Sequence, residues 1–86
     1  MSWSEAEARS IVRTEVATVL AVEPHRVDDA APLVEHGLDS LQAMDVVLAV
    51  EERFRIEIDE TEMADIGTVD DIVALVRTKL GPGRAS

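Results

Sequence analysis

Four helix-start signals divide this sequence of 86 residues, and they constrain its fold more than any other feature. In each signal a Ser, Thr or Asp is followed three residues later by Glu, Gln or Asp. Side chains in this arrangement accept hydrogen bonds from the free backbone N–H groups of a first helical turn. The signals begin at Ser4, Asp39, Asp59 and Thr68. They predict an all-α chain with four helices.

Apolar residues recur at helical spacing behind these signals, which predicts how the helices pack. The repeat runs from Ala8 to Leu20 in helix one and from Val69 to Leu80 in helix four. In helix two the main face carries Ala43, Val46, Val47, Val50 and Phe54. We predict a single domain over 1–86, a small four-helix bundle with three main helices and a short third one. Its elements are helix one over 5–20, a loop over 21–39, helix two over 40–53, helix three over 60–65, helix four over 69–80 and a tail over 81–86.

The loop over 21–39 is long for so small a domain, so we expect it to be ordered rather than free. Val27 and Leu33 are the apolar residues that we expect to hold it against the bundle, and one short helical turn fits within it. The alternation in 55–58 resembles a strand, but the segment has no partner. We therefore interpret it as an extended linker that buries Ile56 or Ile58.

Composition and charge exclude several classes of function. The chain has no cysteine, which removes disulfides, thiolate metal sites and a cysteine nucleophile. No apolar run reaches the roughly 20 residues of a membrane-spanning helix, and no signal segment opens the chain. We expect a cytoplasmic monomer without a bound metal. The initiating Met and the capped first helix favour a free-standing protein over a piece of a larger synthase.

The net charge of −10 is concentrated in one half of the chain. Residues 39–71 hold eleven acidic residues and two basic ones. Binding to nucleic acid is excluded, because contacts with phosphate need positive charge. An acidic surface of this kind instead attracts basic surfaces of partner proteins. Solubility alone is the alternative explanation for these acids.

Helix two carries a second apolar stripe that a surface helix does not need for folding. Its apolar members are Leu41, Met44 and Leu48, and the acids Asp45, Glu51 and Glu52 are interleaved with them. Leu, Met and acids together are typical of a docking surface, since Met adapts to different partners. The alternative is that the bundle buries both stripes.

Ser40 follows the helix-start signal of helix two directly. Asp39 is the predicted N-cap, and Gln42 completes the capping box. Ser40 is then left free of capping and faces solvent at the first helical position. A phosphate on its hydroxyl would lie close to the positive end of the helix dipole.

The run Gly37-Leu38-Asp39-Ser40-Leu41 resembles the phosphopantetheine attachment motif of acyl carrier proteins. The resemblance extends over roughly residues 5–80 and includes the long first loop, the acidic second helix and the short third helix. It implies that a separate phosphopantetheinyl transferase moves 4′-phosphopantetheine from coenzyme A to Ser40, which Asp39 helps to present. The thiol of this arm would then carry acyl groups as thioesters. Such a protein is not an enzyme, because other enzymes act on its cargo.

The resemblance also implies two surfaces. Leu41, Met44, Asp45, Leu48, Glu51 and Glu52 would dock basic patches of the transferase and of acyl-loading, ketosynthase or other pathway enzymes. Val47, Val50, Phe54, Ile58 and Ile66 would line an interior pocket for the acyl chain. Gln42 and Asp59 depart from the fatty-acid type, where an acid and a proline are common. The motif is more similar to polyketide-synthase carriers. The resemblance therefore implies polyketide-like or fatty-acid biosynthesis, with a peptidyl or aryl carrier of a non-ribosomal peptide pathway as the alternative.

Three other classes of protein are alternatives to a carrier. A hydrolase would need Ser40 with His36 or His25, but the Gly-x-Ser-x-Gly pattern is absent. A calcium-binding loop within 57–71 lacks the alternating ligands and the central glycine. A non-carrier helical interaction module is the remaining alternative, and Ser40 discriminates against it. Such a module has no need of a hydroxyl between Asp and Leu at a helix start.

Overall fold

The computed structural model describes residues 3–81, and over this range it contains helices and no strand. The helices are α1 (Glu5–Leu20), α2 (Ser40–Phe54), α3 (Glu60–Ala64) and α4 (Val69–Leu80). The predicted all-α fold with a short third helix is confirmed. The predicted tail over 81–86 lies outside the described residues, apart from Gly81. No helix within the described range is long and apolar enough to cross a membrane.

All four helix-start signals form capping boxes in the structure. Ser4, Asp39, Asp59 and Thr68 each accept a hydrogen bond from the backbone N–H three residues later. The residue at that later position in turn accepts one from the N-cap backbone. Each box satisfies two N–H groups that a helix start would otherwise leave without a partner. The signals therefore determine where every helix begins.

The core is aliphatic and lies between α1, α2 and α4. Its largest fully buried side chains come from all three helices, and they are Val12, Val16, Val46, Val50, Val69, Ile72, Val73 and Val76. At one end, the ring of Trp3 contacts the buried Phe54 edge-on, with 5.1 Å between ring centroids. Burial of these side chains provides the main driving force for folding.

The long connection between α1 and α2 is ordered by contacts with both α1 and the start of α4. It contains two 3₁₀ turns, Pro24–Arg26 and Leu33–His36, where one helical turn was predicted. Val27 and Leu33 are buried, as expected. The backbone N–H of Leu33 donates to the carbonyl of Gly67 at 2.8 Å, and that of Asp70 donates to the carbonyl of Asp29 at 3.0 Å.

Asp29 adds a charged contact that holds the same loop on α1. Its carboxylate accepts hydrogen bonds from Arg13 Nε at 2.8 Å and Nη2 at 2.6 Å, and from Arg9 Nη1 at 3.0 Å. The two guanidinium groups, Arg13 above all, hold the pKa of Asp29 below its ordinary value. The loop therefore reaches α2 along a defined path.

Candidate functional site

Ser40 occupies the first position of α2 and is exposed to solvent. The capping bonds are made by its neighbours: Asp39 Oδ1 accepts from the Gln42 N–H at 2.8 Å, and Gln42 Oε1 accepts from the Asp39 N–H at 3.1 Å. The Ser40 hydroxyl is thus free of capping and stands at the positive end of a 15-residue helix. A phosphate ester on this oxygen fits the local field and has open solvent around it.

The approach to Ser40 is set by Gly37 and Leu38. Gly37 ends the second 3₁₀ turn with φ +91°, a left-handed conformation that glycine adopts without strain. Its N–H donates to the carbonyl of Val34 at 3.0 Å. Leu38 is buried, with its N–H bonded to the carbonyl of Leu33 at 3.2 Å. These contacts hold the residues before Ser40 in place while its hydroxyl stays accessible.

The second stripe of α2 is exposed, so the alternative in which the bundle buries both stripes does not hold. Leu41 is 78% exposed, Leu48 57% and Met44 46%, which is unusual for large apolar side chains in one helix. Asp45 and Glu52 are exposed beside them. The structure therefore places five of the six predicted docking residues on one accessible, acidic and apolar surface of α2.

Glu51, the sixth predicted docking residue, has a structural contact. It is half-buried, and its Oε2 accepts a hydrogen bond from the backbone N–H of Ile58 at 2.7 Å. This bond ties the linker after α2 back to the helix. A role in docking for Glu51 stays a prediction.

Val34 is a candidate docking residue that the sequence interpretation missed. It lies in the second 3₁₀ turn, six residues before Ser40, and is 75% exposed. It also lines the cavity described below, which reaches Ser40. The sequence shows Val34 only as an apolar residue in a loop. Because no helical repeat extends through the loop, the sequence does not indicate whether this side chain is buried or exposed.

A cavity of about 360 Å³ opens beside Ser40. Asp39 and Ser40 form part of its lining, and the remaining residues are chiefly apolar and come from the loop, α2, the segment around α3, and α4. Those apolar residues are Leu33, Val34, Leu38, Ala43, Val46, Val47, Met63, Ile66 and Ile72. The cavity thus connects the serine to an aliphatic interior.

The predicted pocket residues divide into two groups in the structure. Val47 and Ile66 line this cavity, whereas Val50, Phe54 and Ile58 are buried in the core away from it. Ile58 instead borders a separate groove that also contains Glu62 and Lys79. The helical repeat identifies buried positions, but it does not tell which of them border empty space.

The two histidines and the acidic residues do not form a second centre in the described part of the chain. His36 Nε2 accepts a hydrogen bond from the Asp28 N–H at 3.3 Å, which makes it a contact within the loop. Across residues 3–81, no group of three or more His, Cys, Asp or Glu side chains is placed to hold a metal ion.

A protein-family model described as "phosphopantetheine attachment site" matches residues 10–76 of the sequence. The chain belongs to this family. It is therefore a carrier protein rather than an enzyme, and 4′-phosphopantetheine, covalently attached, is the cofactor of its family. The resemblance recognised in the sequence is confirmed. The exposed serine at the start of α2 and the dipole behind it fit a phosphate-linked arm.

Relatives come from more than one kind of pathway. The chain is 34% identical to the acyl carrier protein of Thermotoga maritima, over 91% of this chain and 98% of the relative. It is 33% identical to the non-reducing polyketide synthase tazA of Aspergillus terreus over 91% of this chain, which spans 3% of that enzyme. Among solved structures, a free-standing peptidyl carrier protein from Acinetobacter baumannii superposes with a TM-score of 0.80 at 28% identity. That match covers 90% of this chain and 96% of the other.

Proposed function

We propose that Ser40 carries the phosphopantetheine arm and that the chain is a cytoplasmic acyl carrier in polyketide-like biosynthesis. The observation that supports this most is the exposed Ser40 hydroxyl at the first position of α2, with both capping bonds made by Asp39 and Gln42. The thiol at the end of the phosphopantetheine arm would supply the sulfur chemistry that a chain without cysteine lacks.

The carrier contributes position rather than catalysis. An acyl group tethered to Ser40 meets each docked enzyme at an effective concentration set by the length of the arm. The arm's phosphate gains from the dipole of α2, because the free N–H end of a helix favours negative charge. The neighbouring carboxylate of Asp39 accepts a hydrogen bond from the Gln42 N–H, so its negative charge lies against the start of the helix.

The exposed face of α2 is the proposed docking surface for the transferase and for the acyl-processing enzymes. Asp45 and Glu52 would contact basic patches of those partners, and Leu41, Met44 and Leu48 would pack against apolar groups between the patches. Complementary charge speeds encounter, and apolar contact adds affinity once the proteins meet. The cavity beside Ser40 is proposed to receive the first carbons of an aliphatic cargo.

A peptidyl carrier is the second candidate, and the superposition with a free-standing peptidyl carrier protein favours it. Two observations support an acyl cargo over an aminoacyl one. The motif at 37–41 resembles that of polyketide carriers, and the cavity lining is chiefly aliphatic, with Asp39 as the one charged residue among the described lining residues. Loading assays with a malonyl transferase and with an amino-acid adenylating enzyme would separate the two.

Intact mass after incubation with coenzyme A and a broad-specificity phosphopantetheinyl transferase tests the attachment site. We expect the parent to gain one phosphopantetheine and Ser40→Ala to gain none while folding normally, because this hydroxyl makes no capping bond. Ser10→Ala is the matched control, since Ser10 is an exposed serine on α1. Loading of Ser40→Ala, or a large loss of its stability, would contradict the proposal.

A further inference from the structure

The side-chain amide of Gln42 joins two helix ends. Its Oε1 accepts from the Asp39 N–H at 3.1 Å at the start of α2, and its Nε2 donates to the Val19 carbonyl at 3.5 Å in the last turn of α1. The two neighbours determine the orientation of the amide, because an N–H requires the oxygen and a carbonyl requires the nitrogen. The residue is half-buried between the two helices.

The carbonyl of Val19 belongs to a group that needs partners from outside its helix. The last four carbonyls of an α-helix receive no hydrogen bond from a backbone N–H of the same helix. In α1, those of Ala17 and Thr18 are satisfied by the N–H groups of Ala21 and Val22, which follow the helix. Val19 is half-buried, and Gln42 supplies its hydrogen bond from across the domain.

We propose that Gln42 is a positioning residue for Ser40: its amide caps α2 and also ties the start of that helix to the end of α1. The inference rests on the proposed function, since it assigns Gln42 a part in presenting the attachment serine. Ser40 lies between the cap residue Asp39 and Gln42, so the bridge to α1 limits how far the first turn of α2 moves when the transferase engages it.

Glutamine is suited to both contacts in a way that glutamate is not. A glutamate at this position keeps the capping bond, because its oxygen also accepts from the Asp39 N–H. Its second oxygen has no proton to give to Val19, and its negative charge would be repelled by the partial negative charge on that carbonyl oxygen. Gln42→Glu therefore separates the bridge from the cap, whereas Gln42→Met, of similar length, removes both.

Three measurements test the proposal. Two use the protein before the arm is attached, and the third follows the kinetics of phosphopantetheine transfer to it. The parent should show nuclear Overhauser contacts between the Gln42 side-chain NH₂ and Val19 or Leu20. Gln42→Glu should raise backbone motion on the picosecond-to-nanosecond timescale at residues 39–41, and its melting temperature should fall less than that of Gln42→Met, because it keeps the capping bond. In transfer from coenzyme A, Gln42→Glu should lower kcat by about fivefold, the rate equivalent of one neutral hydrogen bond, with KM nearly unchanged.

Salt separates positioning from a direct effect of the new charge on the transferase. A loss caused by repulsion would appear chiefly in KM and would fade at about 0.5 M salt, where charges are screened within a few ångströms. A positioning loss persists there and is shared by Gln42→Met, which also melts lower because it lacks the cap. If Gln42→Glu changed neither the backbone motion at residues 39–41 nor the kcat of transfer, the proposal would be overturned. Failure of the parent itself to be loaded would instead overturn Ser40 as the attachment site, and the two failures are distinct.

Discussion

Two truncations on α2 test whether one of its apolar faces folds the protein and the other does not. Val50 is fully buried, with 0% exposure, and Leu48 is 57% exposed two residues before it. Both become alanine, so helix propensity changes little and slightly favours the variant. The pair therefore compares burial within a single helix.

The expected magnitudes differ several-fold. Val50→Ala removes two carbons from a packed site, at about 0.8 kcal/mol each, and leaves a small cavity, for a loss of about 2 kcal/mol. For a domain of this size that lowers the melting temperature by about 8–16 °C. Leu48→Ala removes surface that is mostly in water already, so the change should stay within about 0.5 kcal/mol, or under about 4 °C.

Thermal and urea unfolding followed by circular dichroism measure both variants against the parent. The urea slope should be the same in all three, because the same surface is exposed on unfolding. Leu48→Ala should keep its stability but transfer acyl groups more slowly to a partner enzyme. Equal losses of stability in the two variants would refute the division of α2 into a core face and an accessible face.

Two further predictions concern charge. Arg13 holds the pKa of Asp29 below its ordinary value, so the folded state binds fewer protons, and the stability from this pair is present above pH 3.8 and lost as the pH falls through the depressed pKa. Asp29→Asn should cost about 1–2 kcal/mol near pH 7 in urea unfolding, and this cost should shrink as the pH is lowered below 3.8; a cost that does not change with pH would contradict this. Asp45→Lys should slow acyl transfer to a partner more at low salt than at high salt, whereas Glu57→Lys, exposed on the linker, should change it little. A salt-independent loss in Asp45→Lys would place the charged contact elsewhere.

Local chemistry explains why the helices could be predicted from the sequence. Each capping box lies within four consecutive residues, so the start of a helix can be predicted without reference to the rest of the chain. The four boxes begin at Ser4, Asp39, Asp59 and Thr68. The repeat of apolar residues then identifies the buried face, since the period of a helix is local too. Ser40 was identified by the same reasoning, as the free hydroxyl next to a cap.

Contacts between distant segments explain what could not be predicted. The carboxylate of Glu51 is indistinguishable in the sequence from its neighbour Glu52, yet it bonds to the N–H of Ile58. Asp29 likewise meets Arg13 across 16 positions of sequence. The cavity beside Ser40 includes Met63 of α3, which lies 23 positions further along the sequence.

A tryptic map of the loaded protein shows directly whether Ser40 carries the arm. Cleavage after Arg26 and Arg53 releases a peptide over 27–53, and within it Ser40 is the only hydroxyl-bearing side chain. After transfer from coenzyme A, we expect the whole mass gain of one phosphopantetheine to lie on this peptide and fragment ions to place it on Ser40. A gain on any other peptide, or none while a control carrier is loaded, would contradict it.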